Sequence, residues 1–199
     1  MKLVIIKYNA GNIQSVSFAL ERLGVDFTIT DQAEAIQQAD KVIFPGVGEA
    51  STTMKYLHDK KLDAVIRSLR QPVLGICLGM QLMCSYSEEN DTDCLGIFEE
   101  KVCRFQQTEK TETALKIPQI GWNNIYDLRS PLFKDIPENS YCYFVHSYYA
   151  ASGDHTIATA DYIQSYSAGL HRQNFYGVQF HPEKSAAVGE QILKNFLIL

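Results

Sequence analysis

The stretch PVLGICLGM at residues 72–80 joins a short apolar run to a cysteine that stands between two glycines. An apolar run of this length is typical of a strand buried on both faces, and the residues after Cys77 predict a helix through Met83. A nucleophile at such a strand-to-helix turn is the thiol counterpart of the GxSxG elbow. The stretch therefore predicts a buried parallel strand with a candidate nucleophile at its end.

Strand and helix patterns alternate along the chain before this stretch. Strands are predicted at residues 2–7, 25–30, 41–44 and 72–76, and helices at 13–23, 33–38 and 49–69. Asn12 is expected to cap the first helix, with a turn at residues 9–12 before it, and Gly24 is expected to end it. This alternation predicts an α/β fold with a mostly parallel sheet and helices on both faces.

The second half of the chain is richer in strand patterns. Residues 87–93 (SEENDTD) are interpreted as a polar surface loop, and a closing amphipathic helix is predicted at 187–199. Strands are predicted at 101–105, 116–126, 141–149, 156–160, 165–171 and 175–180. Alternation within 165–171 indicates hairpins or an antiparallel edge on the parallel sheet. We expect one mixed-sheet domain over residues 1–199.

Composition excludes several classes of protein. The 199 residues are 46% hydrophobic and 21% charged, with a net charge of −5 and no basic tract, which argues against a disordered, membrane-spanning or nucleic-acid-binding chain. A small-molecule or protein partner is expected instead. The five cysteines include no CxxC pair, which favours a reducing cytoplasm over a disulfide framework or a zinc ribbon. The start of the chain is interpreted as a strand, not a targeting sequence.

Cys77 is the candidate nucleophile. At the start of a helix, free N–H groups and the helix dipole favour a thiolate, which attacks carbonyl carbon readily. The alternative is a buried structural cysteine between two turn glycines. The other four cysteines lack this setting, so packing is the expected role for each of them.

A candidate base lies in the motif His181-Pro182-Glu183, which follows a predicted strand. Pro182 holds His181 out of the helical region, so Glu183 can lie beside the imidazole, fix its tautomer and leave the other nitrogen to exchange a proton. A histidine near a glutamate is common on surfaces, so the motif alone is weak evidence. Together with Cys77 it forms a complete Cys-His-Glu arrangement at strand ends.

Residues Pro45–Gly48, which we call the oxyanion turn, follow the third predicted strand. Glycines there let backbone N–H groups face a ligand, and one of these with the N–H of Leu78 could form an oxyanion hole. The alternative is an ordinary strand-to-helix turn. The turn lacks the third glycine of a dinucleotide fingerprint and the Lys-Ser/Thr of a P-loop. His146 is interpreted as a structural histidine, and no metal or other cofactor is expected.

These motifs together resemble the class I glutamine amidotransferases over essentially the whole chain. Within that family they resemble the glutaminase subunits of imidazole glycerol phosphate synthase. The matching segments are Tyr8–Val16, Pro45–Gly48, Gly75–Gln81, Gly121–Asn123 and His181–Ser185. The chain departs from the family's usual pattern at Lys7, Asn9 and Gln119. The resemblance implies a flavodoxin-like fold.

The resemblance also implies an activity and a set of roles. Cys77 would form a γ-glutamyl thioester, His181 would move the protons and Glu183 would orient His181. The other implied contacts are the oxyanion residues Gly46, Val47, Gly48 and Leu78, the glutamine-binding residues Gln81, Ser147 and Tyr148, and the partner-side residues Asn12, Trp122 and Lys184. Gln81 lies at i+4 from Cys77, so its amide could face the same cleft.

A partner is implied because nothing in the chain binds a phosphorylated acceptor. The expected partner is the cyclase subunit of imidazole glycerol phosphate synthase, in a 1:1 heterodimer that receives the ammonia. Three alternatives stay open on the sequence: a free-standing cysteine hydrolase, a catalytically silent binding subunit, and a glutaminase that feeds a paralogous pathway. Activity with and without a partner, and labelling by a glutamine-like electrophile, would separate them.

Overall fold

A computed structural model describes residues 1–8, 12–107 and 115–199, so most of the predicted turn at 9–12 lies outside the described residues. The helices are α1 Ile13–Arg22, α2 Ala33–Gln37, α3 Ala50–Asp59, α4 Leu62–Ser68, α5 Leu78–Met83 and α6 Ala186–Ile198. The strands are β1 Leu3–Ile6, β2 Phe27–Thr30, β3 Lys41–Phe44, β4 Val73–Ile76, β5 Tyr86–Ser87, β6 Thr92–Asp93, β7 Lys101–Arg104, β8 Gln119–Ile125, β9 Ser140–His146, β10 Tyr148–Ala150, β11 Thr156–Asp161, β12 Ser165–Arg172 and β13 Phe175–Val178. Short 3₁₀ helices lie at Pro131–Phe133 and Pro182–Lys184.

The centre of the main sheet is parallel, in the order β2-β1-β3-β4-β13. This order is the flavodoxin-like one, with β13 as its fifth strand. All four residues of β1, β3, β4 and β13 are buried. The continuous apolar runs of the sequence arise because helices cover both faces of these strands. The predicted α/β class and the single mixed-sheet domain are confirmed.

The predicted hairpins and the antiparallel addition to the parallel sheet are confirmed. β12 pairs antiparallel with β13 and β11, and the sheet continues through β10, β7, β5 and β6. Residues 166–170 are all buried, so their alternation does not mark a solvent face. β8 and β9 form a separate two-stranded ribbon.

The two faces of the sheet pack against different helices. Leu3 and Ile5 of β1 point to a core that includes residues of α1 and α6. Val4 and Ile6, the alternate residues of the same strand, point to a core that includes residues of α2 to α5. The period of two along a strand thus divides its side chains between two apolar layers.

Three predicted segments are corrected by the structure. The helix expected over 49–69 is two helices, because Lys61 adopts a left-handed conformation between α3 and α4. The loop expected at 87–93 contains the end of β5 and all of β6, which pair with each other. The strand expected at 141–149 breaks at Ser147, so β9 lies in the ribbon and β10 in the main sheet.

The carboxyl ends of the central parallel strands meet at one edge of the sheet. The segments that follow β1, β3, β4 and β13 carry Asn12, the oxyanion turn, Cys77 and His181, respectively. This edge is where α/β sheets of this kind bind ligands. Separately, no helix within the described ranges is long and apolar enough to cross a membrane.

Candidate functional site

Cys77 occupies a strained elbow between β4 and α5. Its backbone has φ 52° and ψ −110°, a combination that non-glycine residues rarely adopt. The Cys77 N–H donates to the carbonyl of Val178 at 2.8 Å, which ties the elbow to β13. A Cβ on Gly79 would lie 2.9 Å from the carbonyl carbon of Phe44, so only glycine fits there. Packing thus holds the cysteine at the head of α5.

His181 and Glu183 form a buried pair. His181 is extended, with φ −100° and ψ 96°, and the next three residues form a 3₁₀ turn that places Glu183 beside it. Nδ1 of His181 lies 2.7 Å from Oε1 of Glu183, and neither side chain is exposed. Nε2 of His181 and Oε2 of Glu183 are buried without a hydrogen-bond partner in the described part of the chain. Nε2 is therefore the nitrogen free to exchange a proton.

The protonation of His181 reflects its neighbours. Burial alone would lower the pKa of His181, but the nearby Cys77 sulfur and the Glu183 carboxylate raise that pKa to about 10. The imidazole therefore carries a proton at neutral pH. The structure thus brings together the cysteine, histidine and glutamate that the sequence singled out.

Asn12 joins this group instead of capping α1. It stands at the N-cap position in a left-handed conformation, but its side chain makes no capping hydrogen bond, so the predicted cap is wrong. Its Nδ2 donates to Oε1 of Glu183 and lies 3.2 Å from Nδ1 of His181. The Asn12 side chain reaches Glu183 because the segments that follow β1 and β13 lie at the same edge of the sheet.

The oxyanion turn is arranged differently from the expected oxyanion hole. The N–H of Leu78 donates to the carbonyl of Gly46 at 3.2 Å. The hydroxyl of buried Tyr8 donates to the carbonyl of Pro45, and burial raises the pKa of Tyr8. Gly48 has φ 142°, which L-residues rarely adopt. One of the two predicted donors is thus already engaged within the turn.

A cleft of about 230 Å³ opens beside Cys77. The predicted residues that line it are Val47, Gly48, Cys77, Leu78, Gln81, Ser147 and Tyr148, whereas Gly46 is absent from its lining. Glu89, Val145 and His146 also line the cleft and were not predicted.

Glu89 places a carboxylate at this cleft. One of its oxygens accepts a hydrogen bond from the N–H of Ala50 at 2.8 Å. Burial, and to a smaller extent the charge of Glu49, raise the pKa of Glu89 above its ordinary value. No sequence pattern distinguishes Glu89 from the other acidic residues of the same polar segment.

His146 is buried as expected, yet it faces the same cleft. Its pKa is lowered to about 4, because burial opposes the charged form and His181 adds repulsion. The neutral ring donates from Nδ1 to the carbonyl of Tyr148 at 2.7 Å. The same carbonyl accepts a hydrogen bond from Nε2 of Gln81 at 2.8 Å, so His146 and Gln81 anchor one backbone oxygen together.

The partner-side candidates lie near this edge. Trp122, in β8, is 53% exposed, and Ile120 and Tyr141 of the same ribbon are exposed by 63% and 61%. Since β8 and β9 pair Trp122 with Tyr143 and Asn124 with Tyr141, these apolar side chains share one face of the ribbon. Lys184 is exposed beside the triad, whereas Asn12 is half-buried.

The residues that depart from the family pattern have separate places. Lys7 is exposed, and its N–H donates to the carbonyl of Thr30. Gln119 is buried and accepts a hydrogen bond from the hydroxyl of Tyr166 at 3.0 Å. Asn9 lies outside the described residues. All five cysteines have free thiols, and the described segments hold no group of three or more His, Cys, Asp or Glu side chains that could bind a metal ion.

Comparisons with known proteins place this geometry in context. The family described as Glutamine amidotransferase class-I matches residues 4–199. The chain is 57% identical over 199 residues to the imidazole glycerol phosphate synthase subunit HisH of Bacteroides fragilis strain YCH46, with 100% of both chains covered. It is 49% identical over 197 residues to the protein of the same name from Pasteurella multocida strain Pm70, covering 98% of this chain and 96% of that one.

Solved structures are similar in fold at low identity. A glutamine amidotransferase from Thermotoga maritima has a TM-score of 0.66 and 16% identity, and covers 100% of this chain and 83% of that chain. Another glutamine amidotransferase has a TM-score of 0.72 and 18% identity, with 98% and 97% covered. The flavodoxin-like arrangement seen here is therefore the fold of these structures.

Proposed function

The chain belongs to the class I glutamine amidotransferases, and within this family we propose that it is the glutaminase subunit of an imidazole glycerol phosphate synthase, acting in histidine biosynthesis in the cytoplasm. Residues 1–199 form its one glutaminase domain. The observation that carries the proposal is that Cys77 lines a cleft and interacts electrostatically with His181 of the buried His181–Glu183 pair. Full-length similarity to proteins of that name supports the pathway.

The reaction splits glutamine into glutamate and ammonia in two steps. The Cys77 sulfur attacks the side-chain amide carbon of glutamine, and protonated His181 gives its proton to the departing nitrogen, which leaves as ammonia. A γ-glutamyl thioester remains on Cys77. His181 then takes a proton from water, the hydroxide attacks the thioester, and glutamate departs from the regenerated sulfur. Glu183 holds the imidazole so that Nε2 serves both steps.

The cleft offers polar groups suited to one amino acid. Both hydrogens on the Gln81 amide nitrogen are donated within the protein, to Tyr148 and Gln179, which leaves Oε1 as the atom that can accept from the substrate. The Glu89 carboxylate suits the α-ammonium group of glutamine. Ser147 and Tyr148 also line the cleft. These groups bind and orient the substrate without taking part in the proton transfers.

The oxyanion turn is proposed as the part that the partner completes. While Gly46 accepts the Leu78 N–H, that donor is unavailable to a tetrahedral intermediate. Reorienting the peptide between Gly46 and Val47 would release the Leu78 N–H and turn a second N–H toward Cys77. Glycines at 46 and 48 permit such a change because they tolerate both signs of φ.

The partner is proposed to be the cyclase subunit, bound 1:1, which consumes the ammonia to form imidazole glycerol phosphate and AICAR. Asn12, Trp122 and Lys184 are the proposed contacts, and the exposed apolar face of the ribbon supports docking there. The ribbon is also joined to the triad, because the N–H of His181 donates to the carbonyl of Tyr143 in β9. A partner bound to the ribbon would therefore contact a segment that is hydrogen-bonded to His181. A sealed junction would keep ammonia from dilution in water.

The test combines the full chain with the cyclase subunit and its acceptor substrate. We expect glutamate and imidazole glycerol phosphate to form in equal amounts, and native mass spectrometry to give a 1:1 complex. Full glutaminase activity without a partner would instead identify a free-standing hydrolase. Absence of glutamate in every mixture would identify a silent subunit. Activity only with the cyclase of another pathway would overturn the histidine assignment.

A further inference from the structure

Gln179 is a buried polar residue to which the mechanism above gives no role. It follows β13, two positions before His181, and its side chain is fully buried. Its Nε2 lies 3.6 Å from the Cys77 sulfur, within hydrogen-bonding distance for that atom. A buried amide placed against the reacting atom of the site warrants an explanation beyond packing.

The direction of this contact is fixed by a neighbouring backbone group. The Tyr148 carbonyl can only accept, so the atom of Gln81 that lies 2.8 Å from it must be the amide nitrogen. The same nitrogen lies 2.9 Å from the Gln179 amide, which must therefore present its oxygen. The Gln179 nitrogen is left to face Cys77. An N–H donor, and not a carbonyl oxygen, thus meets the sulfur.

From this geometry we infer that Gln179 is a positioning residue for the proposed glutaminase reaction: it donates a hydrogen bond that stabilises and aims the Cys77 thiolate. A thiolate accepts such a bond more strongly than a thiol does. Gln81 holds Gln179, and the Tyr148 carbonyl, which also accepts from His146, holds Gln81. The substrate-binding wall and the nucleophile are thereby parts of one hydrogen-bonded chain.

Other titratable groups also face Cys77 or its cleft, and a substitution of Gln179 leaves their residue types unchanged. His181 and Tyr8 interact electrostatically with the sulfur, and His146 and Glu89 line the same cleft. Gln179→Met loses both the donor to Cys77 and the acceptor for Gln81, whereas Gln179→Glu keeps the acceptor. A change in the ionisation of Cys77 that both variants share therefore reports the loss of the donor.

The test is the pH dependence of Cys77 alkylation by iodoacetamide in the full chain, followed by mass spectrometry of the Cys77 peptide. In Gln179→Met, which keeps the length but loses the donor, we expect the midpoint to rise by about one pH unit and the rate below it to fall about tenfold. In Gln179→Glu, which still accepts from Gln81 but sets an oxygen against the sulfur, we expect a larger rise. Gln119→Met is the matched control, since it removes another buried amide.

The outcomes separate this role from a structural one. A midpoint that moves in both Gln179 variants and stays within about 0.2 units in Gln119→Met supports the inference. An unchanged midpoint in the folded Gln179 variants, or an equal shift in the control, overturns it. In complex with the cyclase, kcat should fall about tenfold in Gln179→Met with little change in KM. Shifted alkylation in a chain that never hydrolyses glutamine would overturn the proposed function alone.

Discussion

The groups on the two sides of Cys77 differ in how closely they match the arrangement that the proposed reaction needs. On one side, His181, Glu183 and Asn12 form a closed set of contacts in buried surroundings, which we call the triad side. On the other side, the oxyanion turn uses the carbonyl of Gly46 to occupy the N–H of Leu78. The proposed nucleophile and base are therefore in place, while the groups proposed to stabilise a developing negative charge are not.

This difference follows from how each side is built. The triad side stands on the ends of buried strands, and backbone bonds from His181 to Tyr143 and from Cys77 to Val178 fix it. The oxyanion turn contains two glycines, and Gly48 is exposed. With this arrangement, the proposed partner would control turnover by changing the oxyanion turn while Cys77 and the triad side stay in place. Substitutions on one side of Cys77 should therefore leave the contacts on the other side unchanged.

The largest effect is expected at the nucleophile. Cys77→Ser should lower glutamine turnover by the cyclase complex on the order of 10⁴-fold or more, because a serine hydroxyl is a far weaker nucleophile here. Its fold, followed by circular dichroism, should be unchanged. Cys142→Ser is the control: Cys142 is buried in β9, and burial raises its pKa to about 12. Comparable loss in the control would mean that the assignment to Cys77 is wrong.

The next effect separates the two partners on the triad side. His181→Ala should cost about 10³-fold or more in kcat, because the proton carrier is lost. Glu183→Gln should lower kcat about tenfold less than His181→Ala does. The imidazole ring stays in this variant, but it loses the carboxylate that orients it and raises its pKa. Steady-state kinetics of both variants in the complex provide the check. A harmless His181 change, or a Glu183 change that costs more, would contradict this order.

A third prediction concerns the oxyanion turn alone. Gly48→Ala forces a side chain onto a backbone with φ 142°, so we expect turnover by the complex to fall about 10²-fold. Alkylation of Cys77 should stay within about twofold, since the triad side is untouched. Gly24→Ala, at another positive-φ glycine with open space around it, provides the control for backbone strain. If Gly48→Ala lowers the alkylation rate as much as the turnover, the oxyanion turn and the triad side are not independent and the prediction is wrong.

The smallest effect is on the stability of the segment after the oxyanion turn. Burial opposes ionisation of Glu49, but N–H and side-chain hydrogen bonds from Ser51 and Thr52 lower its pKa to about 2. This stabilisation is present above pH 4.5 and is lost as the pH falls toward 2. Glu49→Gln should therefore reduce the free energy of unfolding by about 0.5 kcal/mol at pH 7 and by nothing measurable near pH 2. Denaturant titrations at both pH values, with Glu21→Gln as control, test the sign.

The sequence allowed much of this arrangement to be predicted, for a specific reason. Buried strands are continuous apolar runs, and the ends of parallel strands meet at one edge, so Cys77 and His181 could be assigned to the same edge of the sheet. The contact from Asn12 to Glu183 could not, because it joins residues 171 positions apart and competes with the local role of a helix cap. The direction of the Gly46 carbonyl could not be predicted from the sequence either, since glycine permits several orientations of the peptide.

The most direct test of the account measures both sides of Cys77 in the same samples. Alkylation of Cys77 and hydrolysis of glutamine are followed for the chain alone, with the cyclase, and with the cyclase and an acceptor analogue, and then repeated with Lys184→Ala. We predict that turnover rises at least about 10²-fold with partner and analogue while the alkylation rate changes less than about threefold. If the chain alone hydrolyses glutamine at the rate of the full complex, or if alkylation and turnover rise together, the account is contradicted.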